Sequence, residues 1–125
     1  MARILVADDA PAVLDVLEDI LSREGHDVVR AATGTEAIER FQAGRPRLVV
    51  LDVIMPDLDG FALLDAIRRI DDKVPVILIS GLSSEDIGRK AERYESVVFF
   101  AKGSGLDQFV ELVNKTLGAP DTAGT

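Results

Sequence analysis

The chain has no cysteine and a single histidine, His26. The first absence excludes a disulfide scaffold, a thiolate metal site and a cysteine nucleophile together, so packing must hold the fold. The second leaves a zinc site short of nitrogen and sulfur ligands. Basic residues are also scarce: 14 Lys and Arg stand against 22 Asp and Glu, a formal net charge of −8. Nucleic-acid backbones and anionic membrane surfaces are gripped by clustered Lys and Arg. The densest basic runs here, Arg68-Arg69 and Arg89-Lys90, are pairs set among acids, so neither direct nucleic-acid binding nor membrane attachment is expected. No apolar run approaches the roughly 18 residues of a membrane-spanning helix. Met1-Ala2-Arg3 leads straight into Ile4-Leu5-Val6, too short for the core of a signal peptide. A cytoplasmic protein is the default expectation.

What the chain does have is a globular balance. Its 125 residues, 47% hydrophobic and 29% charged, are the size of one domain with one sizeable core. Five aliphatic or β-branched runs recur, starting at Ile4, Val28, Leu48, Val76 and Val97. The starts are spaced by about one strand-plus-helix unit. Three of the runs are continuous rather than alternating, as expected of strands covered on both faces of a mostly buried parallel sheet. Between them lies helical periodicity. Val13, Leu17, Ile20 and Leu21 recur at three- and four-residue steps, with Pro11 near the start and Gly25 just past the end, the usual punctuation of a helix. Further helices are predicted over residues 35 to about 41, 60–70 and 106–117. The segment 84–94 offers only Ile87, Ala91 and Tyr94 as an apolar face, and low local stability is expected there. Residues 118–125 have the Gly, Pro and Thr composition of a linker or a frayed end. The expected organisation is therefore one domain over 1–118 and a flexible tail, or the start of a linker, over 119–125.

Five strand–helix units joined by right-handed crossovers leave few topologies. The common one is α/β and flavodoxin-like, a five-stranded parallel sheet in the order 2-1-3-4-5 with helices on both faces. In that order the chain reverses between strands 1 and 3, and such folds bind ligands in the crevice at the carboxyl ends there. The residues predicted at those ends are acidic: Asp8-Asp9 after strand 1 and Asp52 closing strand 3. Ser80-Gly81 follows strand 4 and Lys102-Gly103 follows strand 5.

Carboxylates on neighbouring strands, about 5 Å apart, repel by several kcal/mol at an effective dielectric of ~20. A hard divalent cation relieves that repulsion. Mg²⁺ takes one or two carboxylates with waters and leaves room for a phosphoryl oxygen. Lys102 lies two strands from Asp52, roughly 10 Å, which its long stem can span. Ser80, on the strand between, can offer a hydroxyl to an oxyanion. A nucleophilic carboxylate, a metal, an ammonium and a hydroxyl together describe a phosphoryl-accepting site.

This arrangement, with Met55-Pro56-Asp57-Leu58-Asp59-Gly60 after the third strand, resembles the receiver domain of two-component response regulators over about residues 3–117. The resemblance implies that Asp52 is the phosphoacceptor, charged by the phosphohistidine of a sensor histidine kinase or phosphotransfer protein. It implies that Asp9, Asp52 and the backbone carbonyl of Ile54 ligate Mg²⁺, with Asp8 acting mostly through water. Lys102 would contact the phosphoryl group, Ser80 would swing toward it, and Phe99 occupies the aromatic switch position. Phosphorylation would change affinity for an output partner or effector domain, which the residues do not name. A homodimer through the face of helix 4, strand 5 and helix 5 is compatible with the pattern, but no specific residue argues for it.

Each residue also has a plainer reading. Asp8 or Asp9 alone would be a helix N-cap, Lys102 a solvated charge, and Phe99 a core aromatic. Met55, Pro56 and Gly60 are expected to shape the loop, Gly60 by adopting positive φ. Ser83 or Ser84 is a candidate helix cap, and His26 is expected to be solvated. Two departures from the family pattern stand out. Gly103 replaces the usual Pro after the Lys, which predicts a trans peptide bond there, and Glu95-Ser96 replaces the usual Gly-Ala before strand 5. The positions similar to the family's rate-tuning sites, Ile54 and Leu82, are apolar and cannot orient an attacking water, so slow self-dephosphorylation is expected. Three other readings compete. A phosphorylation-independent scaffold on the same fold is kept open by Gly103. An aspartyl-phosphate hydrolase would want an Asp-x-Asp after strand 1 and a cap. A flavin or nucleotide binder would want a Gly/Ser/Thr-rich loop where Asp8-Asp9-Ala10-Pro11 stands.

Overall fold

The aliphatic runs form five strands, β1 (Arg3–Ala7), β2 (Asp27–Ala31), β3 (Leu48–Asp52), β4 (Val76–Ser80) and β5 (Val97–Ala101). They pair in parallel in the order β2-β1-β3-β4-β5, the flavodoxin-like order expected from the strand–helix alternation. The structure is a computed structural model that describes residues 2–55, 57–81 and 85–118. Expectations for Pro56, Leu82, Ser83, Ser84, the Ile87 side chain and the tail from 119 onward fall outside the described residues.

Continuity of the three central runs follows from burial on both sides. In β1, Ile4 and Val6 face one way and Leu5 and Ala7 the other, and all four are buried. Ile4, Val6, Val50, Ile77 and Ile79 pack with Leu14, Leu17 and Leu21 of α1 (Pro11–Arg23) and with Phe109 and Val113 of α5 (Leu106–Leu117). Leu5, Val49, Leu51, Val76 and Leu78 pack on the opposite face. There they meet Phe41 of α2 (Gly34–Gly44), Leu63, Leu64 and Ile67 of α3 (Gly60–Ile70), and Ala91 of α4 (Glu85–Ala91). Burying side chains of this size is worth roughly 1.5–3 kcal/mol each, which is how a chain without cysteine stays folded.

Helix boundaries reflect capping. α1 begins at Pro11, which needs no N–H at the first position, and its N-cap is Ala10, without a side-chain cap bond. The plain N-cap reading of Asp8 and Asp9 is therefore replaced by another arrangement, described below. α2 starts at Gly34 and runs to Gly44, longer than the predicted 35–41. Thr33 caps it by accepting from the Glu36 N–H at 3.1 Å, and Arg45 closes it in the left-handed region at φ 45°. α4 is a short helix that ends at Ala91, before the predicted limit of its segment.

His26 departs from expectation. It is half-buried, and its Nδ1 accepts the Ala2 N–H at 3.2 Å. Burial above all holds its pKa below the usual histidine value.

Candidate functional site

Because the strands are parallel and in register, their carboxyl ends line one edge of the sheet. Asp52 is the last residue of β3, and Asp8 and Asp9 directly follow β1. Asp8 is buried, Asp52 is 5% exposed and Asp9 faces solvent. One oxygen from each of the three lies within 4.8 Å of the others, so the predicted acidic cluster forms.

Each buried carboxylate is anchored through one oxygen and left with the other. The Asp8 Oδ1 accepts the Ala10 N–H at 2.9 Å, an Asx-type turn that points the side chain inward where a plain N-cap would have pointed it along α1. The Asp52 Oδ1 accepts the Ile54 N–H at 3.1 Å. The remaining oxygens converge on Lys102, whose Nζ lies 3.1 Å from Asp8 Oδ2 and 3.1 Å from Asp52 Oδ2. Asp8 Oδ2 is in ion-pair contact only and has no aligned hydrogen-bond donor among the described residues.

The electrostatics are those of a site short of positive charge. Burial pushes the Asp8 pKa above 3.8, and the charge of Asp52 adds to the rise, outweighing the Ala10 N–H and Lys102. For Lys102 burial pulls the pKa down, but contacts with Asp52 and Asp8 more than offset it and the net shift is upward. An oxygen-only donor set, one oxygen of it buried without a hydrogen-bond donor, fits a hard cation such as Mg²⁺.

Ser80 closes β4, is 1% exposed, and its carbonyl accepts the Lys102 N–H at 2.8 Å. Lys102 is followed by Gly103, at φ 93°, and no peptide bond among the described residues is cis. That φ is closed to proline, so the loop is built for the residue it has. Ile54 is 54% exposed beside Asp52. Phe99 pairs with Leu78 and packs partly buried against the α3 side of the core, while Phe100 turns to the other face and meets Phe109 edge-on at 5.5 Å.

Gly60 is required for a reason other than the predicted positive φ. It has an ordinary φ, but a Cβ there would lie 2.6 Å from Val53 Cα and 2.9 Å from the Asp52 carbonyl oxygen. Close approach of α3 to the end of β3 is what demands glycine. Asp59 caps α3 by accepting from Phe61 and Ala62 at 2.8 and 2.9 Å.

Sequence reasoning missed Asp57. Its carboxylate accepts from the Gly34 N–H at 2.7 Å, the Thr35 N–H at 3.1 Å and the Thr35 hydroxyl at 2.7 Å. The Thr35 hydroxyl, then the Gly34 N–H, hold its pKa below 3.8. The only local signal was a capping Thr33 followed by glycine, and nothing in the sequence pairs that turn with a residue more than twenty positions away.

This fold and this carboxylate edge define a known class, and comparison with known proteins agrees. The family model for the response regulator receiver domain matches residues 4–114. The chain belongs to that family. It is 34% identical over 116 residues to the chemotaxis protein CheY of Bacillus subtilis, a match covering 92% of this chain and 97% of that one. It is 44% identical over 81 residues to the probable transcriptional regulator ycf27 of Porphyridium aerugineum, covering 65% of this chain but 33% of that protein. Among solved structures, the receiver domain of the Francisella response regulator 1452 superposes with a TM-score of 0.86 at 27% identity, covering 94% of this chain and 97% of that chain.

Proposed function

We propose that this receiver domain accepts a phosphoryl group on Asp52 from a sensor histidine kinase or phosphotransfer protein, with Mg²⁺ held directly by Asp9, Asp52 and the Ile54 carbonyl and by Asp8 mostly through water. The observation that carries the reading is Lys102, which bridges two buried carboxylates at 3.1 Å each. In the transfer, an Asp52 oxygen forms a bond to phosphorus as the donor's bond to phosphorus breaks. The leaving group departs with the electron pair and takes up a proton. The metal, when bound, neutralises charge on the phosphoryl oxygens.

The chain's own residues do the rest. The Ile54 N–H fixes one Asp52 oxygen and so presents the other for attack. Lys102 is free to follow charge from the carboxylates to the phosphoryl oxygens, a donor aimed where negative charge develops. Ser80, at the end of the adjacent strand, supplies a hydroxyl, and Phe99 is the residue through which its movement reaches β5. An apolar groove of about 460 Å³ between α1 and α5, lined by Val13, Val16, Phe100 and Leu106 beside Lys102, supports a protein as donor. Ile54 offers no hydrogen bond to an attacking water, which supports a long-lived phosphoryl group. The changed surface then alters affinity for an output partner in the cytoplasm by population shift.

Incubation with a small-molecule phosphodonor and Mg²⁺, read by intact mass, tests this. A species heavier by ~80 Da that disappears in Asp52→Asn is the expected result. Its absence, or its persistence in that variant, overturns the assignment.

A further inference from the structure

The loop that joins β3 to α3 is tethered to an element that has no part in the site. Its ends are held by the neighbouring strand and by each other: the Val53 N–H donates to the Ile79 carbonyl of β4 at 3.0 Å and the Gly60 N–H to the Val53 carbonyl at 2.6 Å. Its crown is held at a distance. Asp57 takes the first two backbone N–H groups of α2, those of Gly34 and Thr35, together with the Thr35 hydroxyl. Thr33 takes the third, that of Glu36. The orphan donors of the first turn of α2 are thus satisfied largely by a carboxylate from another segment, and the positive end of the helix favours that charge.

Steric fit gives an independent sign of the same contact. A Cβ at Gly34 would lie 2.6 Å from Leu58 Cβ and 3.2 Å from Asp57 Oδ1. The loop therefore sits so close to α2 that only glycine fits beneath it. Between the anchor at Val53 on β4 and the anchor at Asp57 on α2 lies Ile54, the neighbour whose N–H holds Asp52.

We propose that Asp57 is a positioning residue for the cation site, bracing the loop on α2 so that Ile54 is held in register with Asp52. The inference rests on the Mg²⁺ reading above. Loss of such an outer support typically weakens metal binding 10–100-fold.

The test is calorimetric titration of Mg²⁺ into the unphosphorylated chain, with hydrogen exchange at Gly34, Thr35 and Ile54 measured in parallel. Asp57→Ala is expected to weaken Mg²⁺ binding about tenfold and to speed exchange at all three amides. Asp57→Asn, which keeps an acceptor oxygen, should fall between it and wild type. Gly34→Ala changes no charge and forces the loop away, so it should weaken binding comparably. Weakened binding in Asp57→Ala with wild-type binding in Gly34→Ala would reduce the effect to lost charge and overturn the positioning role. So would affinities within twofold of wild type in both variants, provided thermal melts show both folded; should Gly34→Ala fail to fold, Asp57→Asn binding as weakly as Asp57→Ala overturns it. A wild-type chain that binds no Mg²⁺ would instead sink the cation reading itself.

Discussion

Asp8 and Lys102 meet at 3.1 Å although they come from the ends of β1 and β5, which are three positions apart in the sheet. Lys102 crosses the ends of β4 and β3 to get there and contacts Asp52 on the way. A single ammonium thus partly compensates two buried carboxylates. The upward pKa shift of Asp8, set by burial, marks the compensation as incomplete. An ionised Asp8 is thus held against the preference that its burial sets.

Removing that charge should stabilise the chain. Asp8→Asn is expected to raise the unfolding free energy of the metal-free protein at pH 7 by about 1 kcal/mol. A carboxyl whose folded pKa lies above its unfolded value favours folding when protonated. Its favourable contribution is complete below the unfolded value, here 3.8, and is lost as pH rises through the folded one. The gap between Asp8→Asn and wild type should therefore be widest near neutrality and close toward pH 3.8. Lys102→Met has the opposite sign, a loss of about 1–3 kcal/mol at pH 7 from carboxylates left without a cation. Urea denaturation of the three proteins across this pH range checks both signs.

Gly60→Ala should be among the costlier single-methyl additions in the chain. The added carbon would lie 2.6 Å from the backbone of Val53, which cannot yield as a flexible side chain does. Overpacking of this kind costs about 1–3 kcal/mol, and the Gly60 N–H bond to Val53 would lengthen with it. Thermal unfolding measures the loss, and the Mg²⁺ affinity should fall because the displaced strand end carries Asp52.

Tyr94 should titrate anomalously. Its hydroxyl donates to Asp65 Oδ1 at 2.7 Å, its ring stacks on Phe61 at 6.3 Å, and Lys90 stands 5.2 Å over the Phe61 ring. Burial first, then the Asp65 contact, pushes the phenol up to about 12. Tyr94 is the one tyrosine and there is no tryptophan, so phenolate absorbance reads it directly. The native midpoint is expected near 12, against about 10 in urea, and Asp65→Asn should lower it. The phenol's stabilising contribution is present below pH ~10 and is lost as pH rises toward 12, loosening the segment that follows α4 from α3.

Tertiary contacts of this last kind were the least legible in the sequence. Arg68 looked like half of a basic pair, yet its guanidinium donates to the carbonyls of Asp71 and Val74 and, 27 residues away, of Glu95. Asp57 looked like a loop residue and turned out to cap a distant helix. His26 looked solvated and accepts a backbone N–H from β1's neighbour, Ala2. In each case a side chain satisfies a backbone group remote in sequence, and no local periodicity records such a pairing.

The sequence by itself determined the strand order and the chemistry of the sheet edge. Continuous aliphatic runs specify strands buried on both faces, alternation with helices specifies right-handed crossovers, and Asp8, Asp9, Asp52, Ser80 and Lys102 fall at strand ends by counting alone. Only the tertiary structure decided how those ends are held. It turned Asp8 inward through the Ala10 N–H, packed α3 so tightly on Val53 that Gly60 is required, and hung the β3–α3 loop on the first turn of α2. Strand positions follow from periodic burial, which is local and repeats. The braces follow from hydrogen-bond and steric complementarity between distant segments, and these exist only once the chain is folded.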